Sequence, residues 1–122
     1  MGFFIKYGEG YELGERETLR YNFGDVILAE ITFVERTESK KRPAVVLFED
    51  LGNVVVAGIT SNLKMQGISV SRDEGAMRES VIKTNYIFTI DPSIIVRKLF
   101  SLTEEKREIL CTELKGKICG YS

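Results

Sequence analysis

RPAVVLFEDLGNVVVAGITSN, residues 42–62, holds two β-rich apolar runs on either side of Asp50-Leu51-Gly52. Val, Ile and Phe fit a pleated, half-buried surface, and a glycine between two such runs marks a hairpin. Gly52 as the last residue of a three-residue loop suits a type I turn closed by a left-handed residue and a bulge. In that register residues 49 and 53 face each other, and Arg42 stands opposite Thr60. The pairs between them are all apolar: Ala44 with Gly58, Val46 with Val56 and Phe48 with Val54 on one face, and Val45 with Ala57 and Leu47 with Val55 on the other. Both faces are therefore expected to be buried except at the open end, which carries a permanent cation and a hydroxyl followed by Ser61 and Asn62. Pro43 restricts Arg42 to extended conformations and so helps aim its guanidinium.

Around this hairpin the chain continues in the same texture. Further strands are expected at Val26–Val34, Ile68–Ser71, Ser80–Lys83 and Tyr86–Ile90, with hairpin strands at Pro43–Phe48 and Val54–Thr60. Ile94–Phe100 follows the turn signal Asp91-Pro92-Ser93 and is read as strand, or turn followed by strand. Thr103 is a good N-cap, Glu104 and Glu105 put negative charge in the first turn, and Leu110, Leu114 and Ile118 recur at four-residue spacing. One amphipathic helix is expected over Glu104–Ile118, ended by Gly120. The first 23 residues, rich in Gly, Tyr and charge, are read as an N-terminal extension, an appendage or edge hairpin, with the barrel domain at 24–122.

Composition narrows the chemistry. A 122-residue chain with 43% hydrophobic and 29% charged residues suits one globular domain. Its net charge of -1 means that a nucleic-acid partner must be held by a local patch, because the field of the whole molecule does not attract it. Such a patch is present: Arg36, Lys40, Lys41 and Arg42 stand against Glu38 alone. A phosphate is its natural guest, since an Arg fork suits two oxygens of one phosphate and a Thr hydroxyl can donate to a third. The bland alternative is a solvated Arg-Pro edge and a Thr chosen for β-propensity; spacing alone favours it. With no histidine, His-based triads, HExxH zinc sites and two-histidine RNA cleavage are excluded. Cys111 and Cys119 lack CxxC spacing and read as reduced thiols, so neither a metal nor another cofactor is expected. With no apolar run of membrane-spanning length and no signal-peptide core, a cytoplasmic location is expected.

Taken in order, Gly24-Asp25-Val26-Ile27-Leu28, Lys41-Arg42-Pro43-Ala44-Val45-Val46-Leu47, Ile59-Thr60-Ser61-Asn62, Glu79-Ser80-Val81-Ile82, Ile87, Thr89-Ile90-Asp91 and the helix entry Leu102-Thr103-Glu104 resemble the PemK/MazF-like toxin family over residues 24–118. The resemblance implies a mainly β, SH3-like antiparallel β-barrel with a C-terminal α-helix, a homodimer, metal-independent endoribonuclease activity and inhibition by an antitoxin protein. It carries the family's catalytic Arg onto Arg42 and its catalytic Thr or Ser onto Thr60, the two residues that the hairpin register brings together. The chain departs from the family in its loop Arg36-Thr37-Glu38-Ser39-Lys40-Lys41, where only Glu38 and Ser39 echo the usual pattern, and at Asn85, Tyr86 and Phe88, where an Arg and an acid are missing.

The implied reaction on single-stranded RNA is attack by the substrate's own 2′-hydroxyl, giving a 2′,3′-cyclic phosphate. Arg42 is suited to stabilise the phosphorane, and Thr60 to donate to a non-bridging oxygen. Glu38 is the acidic candidate for proton removal, because Arg is too basic to act as a general base. Arg36, Lys40, Lys41, Ser61 and Asn62 are the candidate RNA-binding residues. Tyr86 and Phe88 can stack on bases, although alternating strand aromatics also serve as core or dimer interface. The competing class is a non-catalytic SH3-like binding module for protein or nucleic acid, including a topoisomerase-poisoning toxin of related fold. That relative uses a Trp near its C-terminus, and this chain has no Trp.

Overall fold

A computed structural model describes residues 20–32 and 39–120. Six strands follow in chain order: β1 (Asp25–Thr32), β2 (Ser39–Asp50), β3 (Asn53–Thr60), β4 (Ile68–Val70), β5 (Ser80–Ile90) and β6 (Ile95–Ser101), before the helix α1 (Glu104–Cys119). They form one antiparallel sheet in the order β4-β5-β3-β2-β1-β6, curled into a half-barrel. The expected SH3-like, mainly β architecture is therefore present, with its C-terminal helix. Short 3₁₀ turns at Arg72–Glu74 and Pro92–Ile94 lead into β5 and β6, so the segment after Asp91 is turn and then strand.

The central hairpin differs from its expected register at one end and agrees at the other. Asp50 pairs with Asn53, so the loop has two residues, Leu51 (φ 52°) and Gly52 (φ 85°), both left-handed. This is the type I′ pattern, whose twist matches that of the flanking strands better than a type I turn does. Phe48 then pairs with Val55, Leu47 is left over as a bulge, and Val46↔Val56, Val45↔Ala57 and Ala44↔Gly58 follow as expected. The bulge restores the register at the end where Arg42 and Thr60 lie. It also turns Phe48 outward: the residue is 53% exposed, whereas Leu47 is buried. Leu51 is a left-handed non-glycine residue with nothing to bury, at 84% exposure. Leu51→Asn should therefore raise stability by about 1 kcal/mol, a few degrees in Tm by calorimetry, because Asn tolerates this conformation and Asn-Gly suits the turn.

Side-chain alternation along the strands builds a core on each face of the curled sheet. Val26, Val45, Ala57, Ile82, Leu102 and Leu110 belong to the cluster beneath α1, with Leu114 packed against it. Ile27, Ala29, Ala44, Val46, Val56 and Ile90 belong to the other, against which Tyr21 and Phe88 pack. The Thr103 hydroxyl accepts the Lys106 N–H at 3.1 Å, and Gly120 closes α1 in the left-handed conformation. The helix buries Leu110 fully, but Ile118 is 79% exposed. Four-residue steps drift by about 40° each on a helix of 3.6 residues per turn, which carries Ile118 off the buried stripe.

One irregularity matters for the site. Ala57 pairs with Ile87 and Ile59 with Ile82, so the single residue Gly58 faces the four residues 83–86. The two expected strands Ser80–Lys83 and Tyr86–Ile90 are thus one strand, β5, bulged where the sequence reading broke it.

Candidate active site

Two clefts meet where β2 begins and β3 ends. The first, of about 330 Å³, is bordered by Lys41, Arg42, Thr60, Ser61, Arg78 and Ser80, with Met77 and Phe100 among its apolar walls. The second, of about 310 Å³, is bordered by Met65, Lys83, Tyr86 and Phe88. Arg42, Pro43, Ile59 and Thr60 border both, and so form the ridge between them.

Each ridge residue is held by its neighbours. Arg42 lies opposite Ala29 of β1, is half-buried, and has its Nε shielded from solvent. A cation partly withdrawn from water acts more strongly on an incoming anion than one fully solvated. The Thr60 hydroxyl oxygen accepts the Asn62 N–H at 3.1 Å. That bond orients the hydroxyl and leaves its own proton available to donate. The Tyr86 ring lies over Gly58: a Cβ there would stand 2.9 Å from Tyr86 Cδ2. The missing side chain lets an aromatic face come down beside the ridge. Tyr86 meets Phe88 edge-on at 5.7 Å, and Lys83 Nζ lies 5.2 Å from the Tyr86 ring centroid, within cation–π range.

Of the residues singled out from sequence, Arg42, Thr60, Lys41 and Ser61 come together at the first cleft. Lys40 is exposed and lies opposite Ile31, bordering neither cleft. Asn62 is likewise outside both linings; its side-chain oxygen accepts the Lys64 N–H at 3.1 Å and its carbonyl the Met65 N–H at 3.1 Å, which builds the turn after β3. Arg36 and Glu38, together with residues 1–19, lie outside the described residues.

Arg78, Ser80 and Lys83 are not among the residues that the sequence points to; Arg78 lies in the charge-rich loop Arg72–Glu79, and Ser80 and Lys83 lie on β5. That loop is pinned beside the first cleft. The Ser71 N–H donates to Glu74 Oε1 at 2.7 Å, and the Arg72 N–H to Glu79 Oε2 at 3.1 Å. Lys106 of α1 lies 3.5 Å from Glu74 Oε2 and donates to the Ser69 carbonyl at 2.6 Å. The Ser71 backbone bond, with help from Lys106, holds the Glu74 carboxyl below the usual glutamate range. This tie is complete above the ordinary glutamate pKa and is lost as pH falls through the lowered one.

Among the described residues no Asp or Glu borders either cleft, while Lys41, Arg42, Arg78 and Lys83 do. Such donors at the margin of an apolar hairpin form a ridge chemically suited to an anion and flanked on one side by aromatic rings.

A curled antiparallel sheet closed by one C-terminal helix places the chain in the SH3-like half-barrel class. The family model for the PemK-like, MazF-like toxin of type II toxin-antitoxin systems matches residues 22–116, and the chain belongs to this family. Among solved structures it is similar to the Mycobacterium tuberculosis toxin MazF-mt6, with 22% identity, a TM-score of 0.62, and coverage of 80% of this chain and 98% of that one. It is also similar to a chain of a MazE-MazF structure from Deinococcus radiodurans, with 16% identity, a TM-score of 0.67, and coverage of 86% of this chain and 100% of that one. A third likeness is to an endoribonuclease in complex with its cognate antitoxin from a mycobacterial species, at 10% identity and a TM-score of 0.61, covering 85% of this chain and 98% of that one. No curated protein matches the chain.

Proposed function

We propose that the protein is the toxin of a toxin-antitoxin pair and an endoribonuclease that cleaves single-stranded RNA without a metal ion. Family membership supports the general assignment, and one similar structure is of an endoribonuclease with its antitoxin. The observation that carries the chemistry is the ridge on which Arg42 and Thr60 border two clefts whose charged residues, among those described, are all cations.

A phosphodiester on the ridge is attacked by its own 2′-hydroxyl. The P–O5′ bond breaks, leaving a 2′,3′-cyclic phosphate and a 5′-hydroxyl. Arg42 stabilises the charge that develops on the phosphorane oxygens, and Thr60 donates to a non-bridging oxygen. Glu38 is the candidate base for the 2′-proton. Unpaired bases on either side of the scissile phosphate occupy the two clefts, with Tyr86 as a stacking surface. Metal independence belongs to the same proposal, since the chain has no histidine and the clefts present cations.

The protein acts as a homodimer, because Phe48, Ile87 and Val96 are all substantially exposed on one small barrel. Sedimentation at micromolar concentration should show a species of twice 13.8 kDa. An acidic antitoxin segment is expected over Lys41 and Arg42, in competition with RNA. Among the described residues no helix is long and apolar enough to cross a membrane, and a cytoplasmic site of action fits an RNA substrate.

The nucleophile is tested by a substrate carrying one 2′-deoxynucleotide at the cleavage site. It should bind and remain uncut; cutting at that position would overturn the mechanism. Thr60→Val should lower the rate about 10–100-fold while Thr60→Ser, which keeps the hydroxyl, stays within a few fold of wild type, as measured by single-turnover cleavage.

A further inference from the structure

A third cleft, of about 470 Å³, lies between the turn after β3, the bulge of β5 and the end of α1. It shares Met65 and Lys83 with the second cleft, as the second shares Arg42 and Thr60 with the first. The three concavities are therefore contiguous and run in a fixed order from Arg78, over the ridge, past Tyr86, to Lys64 and Lys117. Three lysines, Lys64, Lys83 and Lys117, face one glutamate, Glu113, along the third cleft. On a chain of net charge -1 that is a local excess of positive charge, and it shares no residue with the Lys41, Arg42 and Arg78 cations of the first cleft.

The ordinary role of Lys117 is to complement the C-terminal end of the α1 dipole. That role does not call for Lys64, which the Asn62 turn projects from another part of the chain, nor for Lys83, which β5 supplies. Three elements thus bring lysines to one concavity that adjoins the second cleft at Met65 and Lys83. Ammonium groups on flexible stems are point-charge donors, suited to track phosphates without reading bases.

We infer that this cleft is a distal phosphate subsite for single-stranded RNA, reached by the strand after it passes Tyr86. The inference rests on the proposed RNA substrate and adds to it a direction and a length: the substrate extends several nucleotides on the Tyr86 side of the cut, and a trinucleotide seated on the ridge does not reach Lys64 or Lys117.

The test is equilibrium binding of 2′-deoxy-blocked, uncleavable oligonucleotides by fluorescence anisotropy, using a trinucleotide and an oligonucleotide of about 12 nucleotides, within the span of known single-strand sites. The long oligonucleotide should bind wild type much more tightly than the trinucleotide. In the double variant K64E/K117E the long oligonucleotide should lose about tenfold in affinity, its salt slope should fall by about 1.4, and the ratio of long to short affinities should collapse. The neutralising pair K64Q/K117Q should show the same trend at smaller size, with circular dichroism confirming the fold of both. An unchanged ratio and slope would overturn the inference. So would loss of the homodimer in sedimentation with RNA affinity retained, which would assign the cleft to the subunit interface, or weakened antitoxin binding alone, which would assign it to that protein. Because the readout is binding of uncleavable strands, it is separable from the catalytic proposal, which fails independently if an ordinary RNA is not cut.

Discussion

Arg42→Ala should lower the cleavage rate by at least about 10²–10³-fold in single-turnover assays, the size of effect that follows loss of one preorganised donor at developing charge. Arg42 is half-buried beside Pro43 and opposite Ala29, and it borders the cleft in which the proposed phosphate would sit. Arg42→Lys should recover little. An ammonium ion keeps the charge but replaces a planar fork by a single point, and one of the two phosphate oxygens loses its donor. Both variants should keep the circular dichroism spectrum of the wild type, since Arg42 sits at the margin of the sheet and belongs to neither apolar cluster. RNA binding should fall much less than the rate, because Lys41, Arg78 and Lys83 remain along the clefts. A wild-type rate in Arg42→Ala would place the chemistry elsewhere.

The largest expected effect on stability is at Leu110. It is fully buried in the cluster that joins α1 to the sheet, beside Val26, Val45 and Ile82. Leu110→Ala should cost about 3 kcal/mol by urea denaturation, the transfer term of the lost side chain plus a cavity that the packed helix and curled sheet cannot fully collapse around. Against a total stability of about 5–15 kcal/mol that is a large fraction. The change should also reach the site: Lys106 of α1 holds Glu74, and with it the loop that carries Arg78 to the first cleft. Thr112→Ala, on the exposed side of the same helix, should leave stability within about 0.5 kcal/mol of wild type. Equal losses for both variants would mean that the helix is not anchored by Leu110.

How far the sequence carried this account is clearest at the hairpin. The apolar runs of residues 43–60 showed two paired strands, and the site-end pairs 44↔58, 45↔57 and 46↔56 follow from them. The turn was misjudged by one residue, and the bulge at Leu47 cancelled the error before it reached Arg42 and Thr60. Period-2 patterning cannot reveal such a bulge when both neighbouring faces are apolar, because a slip then leaves the pattern unchanged. At β5 the polar pair Thr84-Asn85 separates the two expected strands Ser80–Lys83 and Tyr86–Ile90; it lies instead within the bulge of residues 83–86 opposite Gly58, which carries Lys83 and Tyr86 to the second cleft.

The rest of the site depends on long-range docking. Arg78 reaches the first cleft because Ser71, Glu74 and Lys106 fix the loop from residue 72 to residue 79, a contact between positions more than thirty residues apart. Local spacing carries no sign of it. Lys40 and Asn62 were grouped with the site because they adjoin Lys41 and Ser61 in sequence. Strand alternation and the turn after β3 separate such neighbours in space, and neither residue borders the ridge clefts.

On the Arg42–Thr60 ridge the proposed reaction moves phosphorus from its 5′-oxygen to the neighbouring 2′-oxygen of the same strand. Its most direct test is mass spectrometry of the fragments formed when the purified wild-type protein is incubated with single-stranded RNA in excess EDTA. Fragments ending in 2′,3′-cyclic phosphate with 5′-hydroxyl partners are expected, formed at the same rate with and without the chelator. Fragments carrying 5′-phosphate and 3′-hydroxyl ends, or RNA left intact in EDTA but cut once a divalent cation is restored, would contradict it.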